Sequence, residues 1–113
     1  MSRFSVGDVW IARFPLEEDS SMSTVRPVIV LDDNNTIGIL SVKVTSHKVR
    51  EYDPYDTPII YWDKAGLRVA STARVSKTMI LDASRFQFKL GVLQPEDLTN
   101  VQKQYIELIK SMN

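Results

Sequence analysis

Only one stretch of this chain, from Pro95 onward, has the period of a helix; everything before it comes in short apolar runs cut by turn residues. Leu98, Val101, Tyr105, Leu108, Ile109 and Met112 recur there at helical spacing. Pro95 sits where a first helical residue tolerates the loss of its N–H, and Glu96 and Asp97 suit the positive end of the helix dipole. Such a stripe must dock on another layer, and the earlier runs predict a sheet. Val9 to Phe14, ended by Pro15, and Val25 to Leu31, closed by Asp32-Asp33-Asn34-Asn35, read as strands. Ile37 to Val44, Pro58 to Trp62, Val69 to Leu81 and Phe86 to Leu90 read likewise, with Asp63-Lys64-Ala65-Gly66 as a turn or single helical turn. Leu16 to Thr24 and Ser46 to Asp56 are polar and lack an apolar period, which predicts two long surface loops, the first of them mobile. Five or six strands and one terminal helix, with no strand–helix alternation, imply a mainly β, α+β fold. The expected form is a small antiparallel barrel or strongly bent sheet with a helix on one side. A chain of 113 residues fits one domain spanning 1–113.

Fourteen basic and fourteen acidic side chains cancel, so no global positive field draws the chain onto nucleic acid, and any such contact must be a local patch. Cysteine is absent, which removes disulfides, thiolate metal sites and thiol nucleophiles together. No apolar run is long enough for a signal peptide or a membrane span, and the expectation is a soluble, cytoplasmic protein with no membrane partner.

The residues with chemistry to offer lie at two strand ends. Pro27 cannot donate to a ladder, so the start of its strand belongs at an edge or strand start, leaving Arg26 outside the sheet interior. A guanidinium stays protonated and its planar fork fits two phosphate oxygens, so Arg26 suits electrostatic stabilisation of a phosphoryl transition state. Thr45 offers a hydroxyl, and His47, the only imidazole, exchanges protons near neutrality and leaves the same face as Thr45 if the strand continues. Lys43, Lys48, Arg50 and Arg74, with Tyr52 and Tyr55, could line a groove where cations track phosphates and rings stack on bases. Each has a plainer reading. Arg26 could pair with the Glu17-Glu18-Asp19 loop, His47 could be a solvated loop residue, and the cations could be a solvated face. Trp10 and Trp62 sit in apolar contexts that favour core or subunit contacts, and Asp32 and Asp33 read as turn residues, so no metal and no cofactor is assigned.

Five motifs in order add a resemblance over nearly the whole chain: Gly7-Asp8-Val9-Trp10, Arg26-Pro27 entering an apolar strand, Val44-Thr45-Ser46, Ser71-Thr72-Ala73-Arg74-Val75, and Lys89-Leu90-Gly91 before Pro95-Glu96-Asp97-Leu98. With these the chain resembles the MazF/PemK/Kid toxins, and Thr57-Pro58-Ile59 to Trp62 with Ala65-Gly66-Leu67 resembles their PemK-like branch. The resemblance implies an SH3-like barrel of the MazF/Kid/CcdB type with a C-terminal helix, a homodimer, a cognate antitoxin, and metal-independent cleavage of single-stranded messenger RNA. It places Arg26 and Thr45 on characteristic active-site positions, with His47 added as proton carrier. Ser46, Lys43, Lys48, Arg50, Arg74 and Ser76 become the RNA-contacting candidates. Ser76 stands where some members carry an acid two places beyond the arginine, so a carboxylate base is missing from that position. Two other functions share the fold: a non-catalytic nucleic-acid-binding regulator and a gyrase-binding toxin of the CcdB kind.

Overall fold

The computed structural model describes residues 3–34 and 37–112. Six strands, β1 (Asp8–Pro15), β2 (Ser23–Asn34), β3 (Gly38–Thr45), β4 (Asp56–Ile59), β5 (Ser71–Leu81) and β6 (Phe86–Val92), precede one helix, α1 (Pro95–Ser111). All pairings are antiparallel, in the order β4-β5-β3-β2-β1-β6. The barrel expectation is met as a strongly related but open form: β4 and β6 remain sheet edges and do not pair with each other.

Alternation along the strands gives the sheet two apolar faces. Val9, Ile29, Val42, Val44, Ala73 and Val75 pack beneath α1, joined by Leu98, Val101, Tyr105 and Leu108 from the helix. Phe4, Trp10, Phe14, Val28, Val30, Leu81 and Phe86 cover the opposite face, with Phe4, Trp10 and Phe86 in mutual ring contact. Both tryptophans are packing residues, Trp62 joining the cluster under the helix. Ile109 and Met112, read as part of the docking stripe, are exposed, because the core ends at Leu108.

The boundaries that bear on the site and differ from the sequence reading are those of β2 and the end of β4. β2 starts at Ser23 and runs through Asp32 and Asp33, which pair with Leu40 and Ile39 after a bulge at Leu31. The polar run therefore extends the hairpin, while Asn35 of the expected turn lies outside the described residues. β4 ends at Ile59, because the buried Asp97 carboxylate accepts the N–H groups of Ile60 (2.8 Å) and Tyr61 (2.9 Å) that a longer strand would have given to a ladder. The chain then makes the single helical turn expected there, Ala65 N–H donating to the carbonyls of Tyr61 and Trp62. That turn fills the gap between the two sheet edges. Gly66 has φ +89°, and a Cβ on it would collide with the Leu90 carbonyl, while one on Gly91 would come within 2.5 Å of Ala65 O. The connection 16–22 closes on itself, through Leu16 N–H to Met22 O and Asp19 Oδ1 accepting from Ser21.

Candidate active site

The sheet splits where β2 and β3 diverge. Their ladder begins at Val28 and Lys43, so residues 23–27 pair with β1 alone, in keeping with the edge that Pro27 requires. One step further along the register Pro27 would face Val44, and it has no N–H to give. Arg26 supplies the donor instead: its Nη1 donates to Val44 O at 3.3 Å and its Nε to Thr24 Oγ1 at 3.1 Å. The guanidinium is held half-buried in the split, and no carboxylate lies within ion-pair distance of it among the described residues. Burial, and then the Arg74 charge, lower its pKa from the ordinary arginine value. A guanidinium keeps its proton even so, which leaves an uncompensated cation at the end of β3.

Thr45, the last residue of β3, is buried, and its Oγ1 accepts the His47 N–H at 3.3 Å. The strand stops there, so Ser46 and His47 leave it through a bend and are exposed. All three nevertheless line, with Arg26, one groove of about 620 Å³. Ile11 pairs with both Pro27 and Phe88, and these side chains give the groove an apolar floor across three strands. Residues 66–69 form the facing wall, and Arg68, Ser71 and Gln87 add polar groups.

A second cavity, about 360 Å³, lies beyond Arg26 and is lined by Leu16, Glu17, Glu18, Arg26, Lys43, Arg50, Arg74 and Lys77. Strand register explains this density of cations, since Lys43 pairs with Arg74 and Arg74 with Asp56, placing the three side chains in one row across β3, β5 and β4. Asp56 has a fully buried side chain. It accepts Arg74 Nη1 at 2.5 Å, Arg50 Nε at 2.9 Å, Arg50 Nη2 at 3.0 Å and the Arg50 N–H at 2.9 Å. Burial alone would push its carboxyl up; the Arg50 hydrogen bonds and the two guanidinium charges outweigh this and hold it below the usual carboxylate value, while Arg50 is driven the opposite way by the same contacts.

Arg50 and Arg74, read as RNA-contacting, are thus committed to Asp56. Asp53 adds a bond from Arg50 Nη2 (2.8 Å) and one from Ser76 Oγ (2.5 Å). The carboxylate missing from position 76 in the sequence is thereby present in space, brought from the β3–β4 loop. Lys77 is ion-paired with Glu17, the loop that the plainer reading had given to Arg26. Lys43 has no carboxylate partner among the described residues; burial, then Arg26, lower its pKa, and its Nζ lies 5.9 Å from the centroid of the Phe14 ring. Lys48 is exposed and lines neither cavity. Tyr52 is exposed with Arg50 beside its ring, whereas Tyr55 turns into the core beneath the helix. Sequence reasoning passed over Asp53, Asp56, Lys77, Arg68, Gln87 and Phe88. The first two had a readable signal, acids three and six places after Arg50 in a proline-bearing turn.

The sequence profile of the PemK-like, MazF-like toxins of type II toxin–antitoxin systems matches residues 5–109. The chain belongs to that family. Among solved structures, this PemK-like chain is similar to an endoribonuclease from a mycobacterial species, with TM-score 0.73 and 12% identity over 97% of this chain and 94% of that one. It is similar too to the MazE–MazF structure from Deinococcus radiodurans, with TM-score 0.72 and 18% identity over 97% and 98% of the two chains. A third is a mycobacterial endoribonuclease in complex with its cognate antitoxin, with TM-score 0.67 and 15% identity over 92% of each chain. At these identities the likeness is one of fold, and it agrees with the expected MazF-type architecture. No curated relative matches the sequence. Among the described residues no helix is long and apolar enough to cross a membrane.

Proposed function

We propose that this PemK-like toxin is a cytoplasmic, metal-independent and sequence-selective endoribonuclease of single-stranded messenger RNA, acting as a homodimer and restrained by a cognate antitoxin. The supporting observation is the uncompensated Arg26 guanidinium at the end of β3, in one groove with Thr45, Ser46 and His47. Cleavage by the RNA's own 2′-hydroxyl asks for three things, and side chains can supply each. His47 takes the proton as the 2′-oxygen attacks phosphorus. Arg26 and the Thr45 hydroxyl bond the non-bridging oxygens as their charge grows, in a site where fixed donors need no reorganisation. The bond from phosphorus to the 5′-oxygen then breaks, and that oxygen leaves with a proton returned by the imidazolium. The ends are a 2′,3′-cyclic phosphate and a 5′-hydroxyl. In this reading a base stacks on the apolar floor at Ile11 and Phe88, and Ser46 and Gln87, which line the same groove, bond its edge.

Lys43 and Lys48 act in this reading as phosphate contacts, with Arg50, Arg74 and Ser76 shaping the cationic row behind them. The test is incubation of the purified protein with single-stranded RNA in EDTA. Fragments carrying cyclic phosphate ends are expected. RNA bound but left intact would favour the non-catalytic regulator, and indifference to RNA with capture of gyrase would favour the CcdB-like toxin. Sedimentation of the free protein tests the dimer.

A further inference from the structure

We infer that the cavity beyond Arg26 is a second phosphate site, taking the phosphodiester next to the scissile one in the same RNA strand, and that Glu17 stands in for that phosphate until the strand arrives. The inference rests on the nuclease reading of the groove. Arg26 lines both cavities, so a strand crossing the split in the sheet passes from one to the other without leaving its guanidinium. Five cationic side chains line the second cavity, and their counter-charges are unevenly shared. Arg50 and Arg74 are held by buried or nearly buried carboxylates whose geometry leaves little to rearrange. Arg26 and Lys43 have no such partner among the described residues, and Lys77 has only Glu17.

Glu17 differs in kind from Asp53 and Asp56. Its side chain is 61% exposed and comes from the self-closed 16–22 connection, so it can swing away without opening the core. It also sits in the field of more than its partner: a hydrogen bond from Lys77, the Lys77 charge, and more weakly Lys43 and Arg50 lower its pKa against burial. A carboxylate placed among these cations presents what a phosphodiester presents, one negative charge shared over two oxygens that accept N–H donors, but only on an exposed, movable side chain. A strand phosphate displacing it would gain Lys77 and satisfy Lys43 at once.

The experiment uses a fluorescent RNA oligonucleotide with 2′-O-methyl riboses, which lacks the attacking hydroxyl and binds uncut, titrated onto the full chain at two salt concentrations. Glu17→Gln is expected to bind up to about fivefold tighter, the scale of an exposed ion pair no longer competing. Lys43→Met is expected to bind about tenfold more weakly, with the salt slope shallower by about 0.7, the share of a single lysine–phosphate pairing. Affinities equal to the parent's in both variants would overturn the inference. So would a response to both substitutions confined to inorganic phosphate, or to an acidic peptide, with the oligonucleotide indifferent. A parallel assay with unmodified RNA separates the two readings: shifted oligonucleotide affinities without scission leave the second site standing and remove the nuclease, and scission with unshifted affinities does the reverse.

Discussion

Arg26 carries opposite consequences for stability and for chemistry. Its guanidinium is half-buried, repelled by Arg74 and unpaired with any described carboxylate, so the folded state tolerates it at a cost. Replacing it by methionine keeps the stem in the split and removes the charge. We expect Arg26→Met to shift the urea midpoint only slightly, relief of the half-buried charge offsetting loss of the donor to Val44 O, while RNA cleavage falls about 10²–10³-fold, the usual effect of losing one oxyanion donor. A parallel fall in stability would place Arg26 among structural residues instead. His47 is exposed and contributes only a backbone N–H to Thr45, so His47→Ala should leave the melting curve in place. Its turnover should drop about 10²–10⁴-fold; unchanged turnover would remove it from the mechanism. Both candidates were nameable from the sequence, His47 as the lone imidazole and Arg26 through the ordered motifs of the family resemblance, since an Arg-Pro step is common by itself. Asp53 was not, since its link to Ser76 spans 23 positions and depends on how the β3–β4 loop folds back.

At the scale of elements, strands and helix were legible where side chains repeat with a period, and their ends were not. The Pro58–Trp62 run looks like a strand to its last residue, yet α1 takes the N–H groups of Ile60 and Tyr61 through Asp97. No local pattern announces a carboxylate 36 residues downstream. Asp97→Ala removes the buried acceptor of those two part-buried donors and should cost about 1–3 kcal/mol in urea unfolding. Gly66 is the second such point. Its positive φ and its contact with the Leu90 carbonyl both exclude a Cβ, so Gly66→Ala should lower stability by at least about 1 kcal/mol and push the 60–70 connection off β6. Because that connection is also a groove wall, the same variant should raise KM for RNA more than it lowers kcat.

Over the whole molecule the net charge is zero, but the charges are sorted, with five cations facing one cavity and buried acids behind two of them. The balance has a pH dependence set by Asp56, the acid among those with a depressed carboxyl whose side chain is wholly buried. A carboxyl whose folded value lies below its ordinary 3.8 contributes stability that is present above that value and lost as pH falls through the folded one. Urea stability should therefore hold from neutrality down to about pH 4 and decline below it. In Asp56→Asn that acid limb should flatten, and the neutral-pH stability should already be lower by about 3–5 kcal/mol, because Arg74 is left buried beside a neutral amide. The overall fold was legible because a mainly β chain with one terminal helix has few ways to pack. The sorting of charge was hidden because it is a property of strand register, fixed only when Lys43 meets Arg74 and Arg74 meets Asp56.

The split between β2 and β3 leaves one guanidinium reachable from either side of the sheet. On the proposed nuclease reading, an acidic side chain of an inhibitory polypeptide reaching that cation from either cavity would neutralise the charge on which cleavage depends, without filling the whole groove.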